Sequence, residues 1–158
     1  LSSLALGLVM VFSFQSLILD MTGNSGTQTL AVAVRGLSGR ELSGKEKFTI
    51  LKKEMTTGLF SSLILGFGAF LVLFPYIMLT SKTGALYSLS LAFCIGLALL
   101  VAMVISNTIG AVIPIVMDKI GVDPAVASGP LITTLNDLIG AVSYYTLVFL
   151  ILKTMLHF

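Results

Sequence analysis

From Met55 to Thr80, and again from Ala85 to Met117, the chain carries no charged side chain. A helix needs roughly 20 apolar residues to cross a bilayer's ~30 Å hydrocarbon core, and both runs exceed that. Two further stretches approach the same length. The first, "LSSLALGLVMVFSFQSLIL", ends at Leu19, enters the small, polar "DMTGNSGTQT" (Asp20 to Thr29) and resumes as "LAVAVRGL". The last runs from about Val126 to His157. Only 10% of the 158 residues are charged, against roughly 25% in a soluble domain. Such a chain cannot cover a water-facing surface, so its expected solvent is the lipid bilayer. The expected fold is an all-α polytopic membrane protein. It would be a transmembrane helix bundle of four to five membrane helices, the first broken at its glycine-containing stretch. The spans from Ala85 and Val126 exceed a bare crossing and should tilt, kink at Pro114 or Pro130, or project from the membrane.

The net charge of +2 is too small to argue for nucleic acid, but its placement is informative. Six of the nine cationic side chains, Arg35, Arg40, Lys45, Lys47, Lys52 and Lys53, fall between the first and second spans. By the positive-inside rule that connection is cytoplasmic. Leu1, Lys82 and the C-terminus then lie outside, and Asp118 to Asp123 lie inside. Within the basic connection, Ser43 and Glu46 have the spacing of a capping box. Phe48, Leu51 and Met55 recur at helical spacing, so a short helix along the inner surface is expected there. The chain opens at Leu1, already inside an apolar run, with no basic leader or cleavage site. We therefore expect a piece of a longer protein. The lone Cys94 has no second thiol for a disulfide or metal site and reads as a small apolar packing residue.

Polar groups at membrane depth survive only inside protein or beside water. Three clusters meet that description. In "TGNSGTQT", Gly23 and Gly26 flank Asn24, and Asn24 with Gln28 forms an i, i+4 pair. This reads either as a pore lining or as a tight helix contact. In "SNTIGAVIP", Asn107, Gly110 and Pro114 share one side of a helix, which suits a pathway and a helix–helix interface equally. The third cluster surrounds Asp137. Steps of three and four from it reach Pro130, Thr133, Thr134, Gly140, Ala141 and Tyr144, a narrow small-and-polar stripe. A charged aspartate at mid-bilayer costs at least ~2.5 to 3.5 kcal/mol. No lysine or arginine lies at its depth, so a mobile cation is the expected partner. Carboxylate, amide, hydroxyl and carbonyl oxygens suit hard ions and argue against zinc or copper. Magnesium keeps several waters and is held by one or two carboxylates, and a single carboxylate per chain is thin for calcium with its six to eight oxygens. The donor set alone implies a hard, divalent cation and no more.

Two motifs add more. "TGNSGTQTLAVAVRGL" and "GVDPAVASGPLITTLNDLIG", with "NTIGAVIP" and the basic connection between them, resemble the transmembrane domain of MgtE-type magnesium transporters, related to the animal magnesium carriers. The resemblance covers essentially the whole chain. It implies a homodimer with a magnesium pore at the dimer axis, Mg2+ as the transported ion, and a bacterial inner-membrane location. Carried over, Asp137 would hold a hydrated ion and Asn24 would line the same path. Gly23, Gly26, Gln28, Thr133, Thr134 and Asn107 would belong to the pathway. Asp123 would either gather cations at the cytoplasmic mouth or cap the helix before Pro124. Asp20 matches no family position and reads as an extra mouth acid or an ordinary interfacial residue. Residues 1–158 would form one transmembrane cation-transport domain, without the family's first helix and cytoplasmic regulatory domains, so a cytoplasmic regulatory domain or subunit would lie outside this chain. Ion-coupled exchange is the alternative, and needs a second ion site. An intramembrane aspartyl enzyme needs two carboxylates sharing a proton, and this chain offers one at depth and no G-x-G-D element, so the expectation is that it is not an enzyme.

Overall fold

The computed structural model describes residues 3–37, 42–81, 84–126 and 129–156. They form four helices, α1 (Ser3–Leu37), α2 (Gly44–Ser81), α3 (Ala85–Lys119) and α4 (Gly129–Leu156), with a 3-10 turn at Pro124–Val126. No strand occurs among the described residues. The all-helical bundle expected from hydropathy is the fold that forms. Arg40, Lys82 and His157, which entered the reading of orientation and span ends, lie outside the described residues.

α2 contains 38 residues, about 57 Å at 1.5 Å per residue, nearly twice the hydrocarbon thickness. Ser43 starts it with the expected capping box. The Ser43 backbone N–H donates to Glu46 Oε2 at 2.8 Å, and Glu46 N–H reaches back to Ser43 Oγ at 3.4 Å. The basic segment is therefore not a separate surface helix. It is the first three turns of α2, because nothing between Gly44 and Met55 breaks the backbone ladder. Farther along, Phe60, Ile64, Phe67, Val72 and Leu79 are exposed. An apolar surface of this kind is stable against lipid and unstable against water. α2 and α3 both contain windows long and apolar enough to cross a membrane.

α3 is the central helix. Its buried face includes Leu91, Cys94, Ile95, Ala98, Leu99 and Met103, which pack with Ile18 of α1, Leu73 and Ile77 of α2, and Tyr144 of α4. Pro114 lies within α3 and is buried. Pro130 sits in the first turn of α4, where its missing N–H costs nothing. At the other end of α3, Gly121 takes φ +78°, and Val122 N–H returns to Met117 O at 2.9 Å. That left-handed residue turns the chain toward α4. Beside it, Lys47 of α2 forms an ion pair with Asp118 of α3, joining the two helix ends.

One expectation is overturned. α1 is unbroken from Ser3 to Leu37, straight through the glycine motif. Glycine inside a helix costs only ~1 kcal/mol relative to alanine, and here that cost is offset by close packing. A methyl group on Gly110 of α3 would overlap the Gly26 carbonyl oxygen. The carbonyls of Gly23 and Asn24 are not left free either, since Thr27 Oγ1 lies within hydrogen-bond reach of both, at 2.9 and 3.0 Å. α2 and α3 approach as closely, with a Gly96 methyl 2.8 Å from Gly66 O. Because Gly26 O is backbone and cannot swing aside, Gly110→Ala must push α1 from α3. We expect a loss of about 1–3 kcal/mol, seen as a lower melting temperature of the detergent-solubilised protein. Gly68→Ala, inside α2 with nothing within 4 Å of its new methyl, should not lower the melt and should raise it slightly, by up to ~1 kcal/mol of helix propensity.

Candidate functional site

α1 runs antiparallel to α4, and their contact divides into a packed half and an open half. In the packed half, Tyr144 hydroxyl donates to Val11 O at 3.0 Å, Tyr145 hydroxyl bonds to Gln15, and Gly140 lies against Thr22. The open half is a groove of about 320 Å³ lined by Leu19, Asp20, Gly23, Asn24, Thr27, Thr133 and Asp137. It brings together Asp137, Asn24, Gly23 and Thr133, four residues singled out from sequence.

The groove is layered along the helix axes. Asp137 stands level with Gly23, where a methyl would lie 3.2 Å from Asp137 Oδ1. The absent side chain leaves the carboxylate facing α1 backbone. Thr27 and Thr133 lie about one turn to one side of this level, and Asp20 about one turn to the other. Asp137 is half-buried, and Asp20 and Asn24 are exposed. Lys47 pairs with Asp118 at the helix ends, and neither groove carboxylate has a cationic partner among the described residues. Six waters at about 30 Å³ each occupy roughly 180 Å³. The groove therefore has room for a hydrated octahedral ion without stripping its shell.

The other sequence-selected residues lie elsewhere. Asn107 is 2% exposed, at the junction of α1, α2 and α3. Its Oδ1 accepts from Ser25 Oγ at 2.7 Å and Thr29 Oγ1 at 3.0 Å, and its Nδ2 donates to Gly58 O at 3.3 Å and Ser62 Oγ at 3.4 Å. Gly26 is buried against Asn136, Ser106 and Gly110. Gln28 is exposed outside the groove. Thr134 is exposed and donates to Pro130 O at 2.9 Å. Asp123 is exposed, and its Oδ1 accepts from Ala125 N–H at 2.9 Å, the geometry of a turn cap.

Sequence reasoning passed over Asn136, which is fully buried with neither side-chain polar atom hydrogen-bonded. It sits one residue from Asp137, hence about 100° around the helix, and faces Gly26 rather than the groove. Its only signal was adjacency to Asp137, and adjacency in a helix places two side chains on different faces.

Residues 15–147 match the family described as MgtE, divalent cation transporter. The chain belongs to that family. It is 40% identical over 134 residues to the magnesium transporter MgtE of Enterococcus faecalis, covering 85% of this chain and 28% of that protein. The corresponding protein of Bacillus subtilis is 37% identical over 132 residues, 84% of this chain and 27% of its own length. That of Thermus thermophilus is 30% identical over 136 residues, 86% and 28%. The chain thus spans less than a third of the length of the relatives it matches, all of which are named as transporters.

The two amides of the MgtE-type motifs differ sharply in surroundings. Asn107→Ala removes four hydrogen bonds and leaves Ser25 and Thr29 without their acceptor. It should cost about 1–3 kcal/mol and lower the melting temperature by several degrees. Asn24→Ala, at an exposed position, should leave the melting temperature within about a degree of wild type, since surface changes are usually within ~0.5 kcal/mol.

Proposed function

We propose that this chain is the membrane domain of a magnesium transporter, passing Mg2+ through a pathway along the α1–α4 groove, with Asp137 as its main ion-holding group. The observation that carries this reading is Asp137 itself, a carboxylate in an open polar groove with no cationic partner among the described residues. A mobile cation compensates it. Asn24 and the hydroxyls of Thr27 and Thr133 add neutral oxygens, which suit the outer water shell of a hard divalent ion. The relatives' name, magnesium transporter, supports Mg2+ as the transported substrate. No chemical transformation is involved, so the chain acts as a transporter and not as an enzyme.

The groove is open on one side, and we propose that a second copy closes it. Two copies about a two-fold axis would bring two Asp137 carboxylates to one central path. Such isologous contact is the commonest arrangement of a homodimer. The relatives' additional length leaves room for further membrane helices and cytoplasmic regulatory domains that act on this one. The cationic residues at the α1 and α2 ends support a cytoplasmic location for that side of the bundle in the bacterial inner membrane, with the C-terminus outside.

The test is Mg2+ flux into liposomes at equal reconstituted amounts. Asp137→Asn keeps size and removes the charge. We expect flux to fall at least about tenfold, since each 1.4 kcal/mol of lost ion stabilisation is tenfold. Unchanged flux and selectivity would reduce Asp137 to a helix-packing residue.

A further inference from the structure

The groove holds a second carboxylate. Asp20 of α1 lines the same cavity as Asn24 and Asp137, yet it lies outside the glycine motif and was not assigned a pathway role by the family resemblance. We infer that Asp20 is an outer cation station of the pathway, one helical turn from the level of Asp137, which sets the apparent affinity for the incoming ion. The inference rests on Asp137 being the main ion-holding group.

Three observations carry it. Asp20 precedes Asn24 by four residues, which places them on one face of α1 and about 6 Å apart along its axis. A carboxylate so placed lines the groove, and its side chain is exposed. Among the described residues it has no ion pair. Nor does it serve packing as its neighbours do: Thr22 abuts Gly140, and Ile18 is buried in the core. A carboxylate that lines the groove and neither packs nor pairs among the described residues is open to a mobile counter-ion.

The layered order then has a use. With the α1 end bearing Arg35 on the inner side, Asp20 is on the outer side of Asp137, where an ion arriving from outside meets it first. Conduction needs sites favourable enough to fill and closely enough spaced that one ion displaces the next. A single deep carboxylate supplies the first condition. A second, more exposed carboxylate one turn away raises the local divalent concentration and supplies the second. At ~6 Å through water, one carboxylate acting on a divalent ion changes occupancy by about tenfold at low salt, and the effect weakens as the screening length falls to ~3 Å at 1 M salt.

Mg2+ flux into liposomes should be measured against external Mg2+, at low ionic strength and in 1 M choline chloride, for wild type, Asp20→Asn, Asp20→Glu and Asp137→Asn. For Asp20→Asn we expect the half-saturating Mg2+ concentration to rise about three- to tenfold at low salt, with maximal flux retained and the difference shrinking in high salt. Asp20→Glu should restore most of the affinity. An unchanged half-saturation for Asp20→Asn, alongside flux lost in Asp137→Asn, overturns the outer station and leaves the Asp137 pathway standing. A fall in maximal flux with no shift in half-saturation, and no rescue by glutamate, also overturns it, because that is the pattern of a structural residue. Full flux in Asp137→Asn removes the pathway reading and this inference with it.

Discussion

The backbone contact between Gly26 of α1 and Gly110 of α3 fixes much of what surrounds it. It lets two helices approach closely enough for Ser25 and Thr29 to reach Asn107, and for Ser106 Oγ to donate to Thr22 O at 2.7 Å. These bonds set the rotation of α1 about its own axis. At 100° per residue, turning Thr22, Ser25, Gly26 and Thr29 toward α3 swings Asp20, Gly23, Asn24 and Thr27 toward the flank where α4 carries Asp137. The groove is therefore a consequence of how α1 is held from behind. Without a hydrophobic driving force between helices in lipid, such small-residue contacts and interhelical hydrogen bonds are the terms available to hold it.

The same polar groups would be poor stabilisers in isolation. Interhelical hydrogen bonds in membranes average only ~0.6 kcal/mol. Concentrating four of them on the Asn107 amide, at a site where glycine removes steric bulk, gives one well-determined junction of three helices. The groove has the opposite character. Its acids line an open cavity and are unpaired among the described residues, and Asn24 is exposed. One amide-containing motif is spent on rigidity and the other remains available to a ligand, a division of labour expected where a site must be pre-organised by a supporting shell.

Much of this was legible in the sequence. The uncharged runs gave α2 and α3, Ser43 and Glu46 gave the start of α2, and the spacing of motifs led to Asp137, Asn24, Gly23 and Thr133, which do share one groove. The continuity of α1 was not legible. Two glycines within four residues suggest a break unless the compensating neighbour is known, and that neighbour, Gly110, lies 84 residues from Gly26. Asn107 and Asn24 could not be separated by residue type, since each is an amide among small residues; only the burial of one and the exposure of the other distinguishes them. Asp20 was ambiguous for a related reason. Its meaning depends on the rotation of α1, which is set by contacts with α3 that no local pattern encodes.

The central claim is that a divalent ion is held in this groove by Asp137. Anomalous diffraction from crystals of the protein soaked in Mn2+, an oxygen-preferring stand-in for Mg2+, tests it most directly. The account predicts a peak beside the Asp137 carboxylate, at the level of Gly23 and Asn24, that disappears in Asp137→Asn crystals. Peaks confined to the helix ends and loops, with none in the groove, would contradict it.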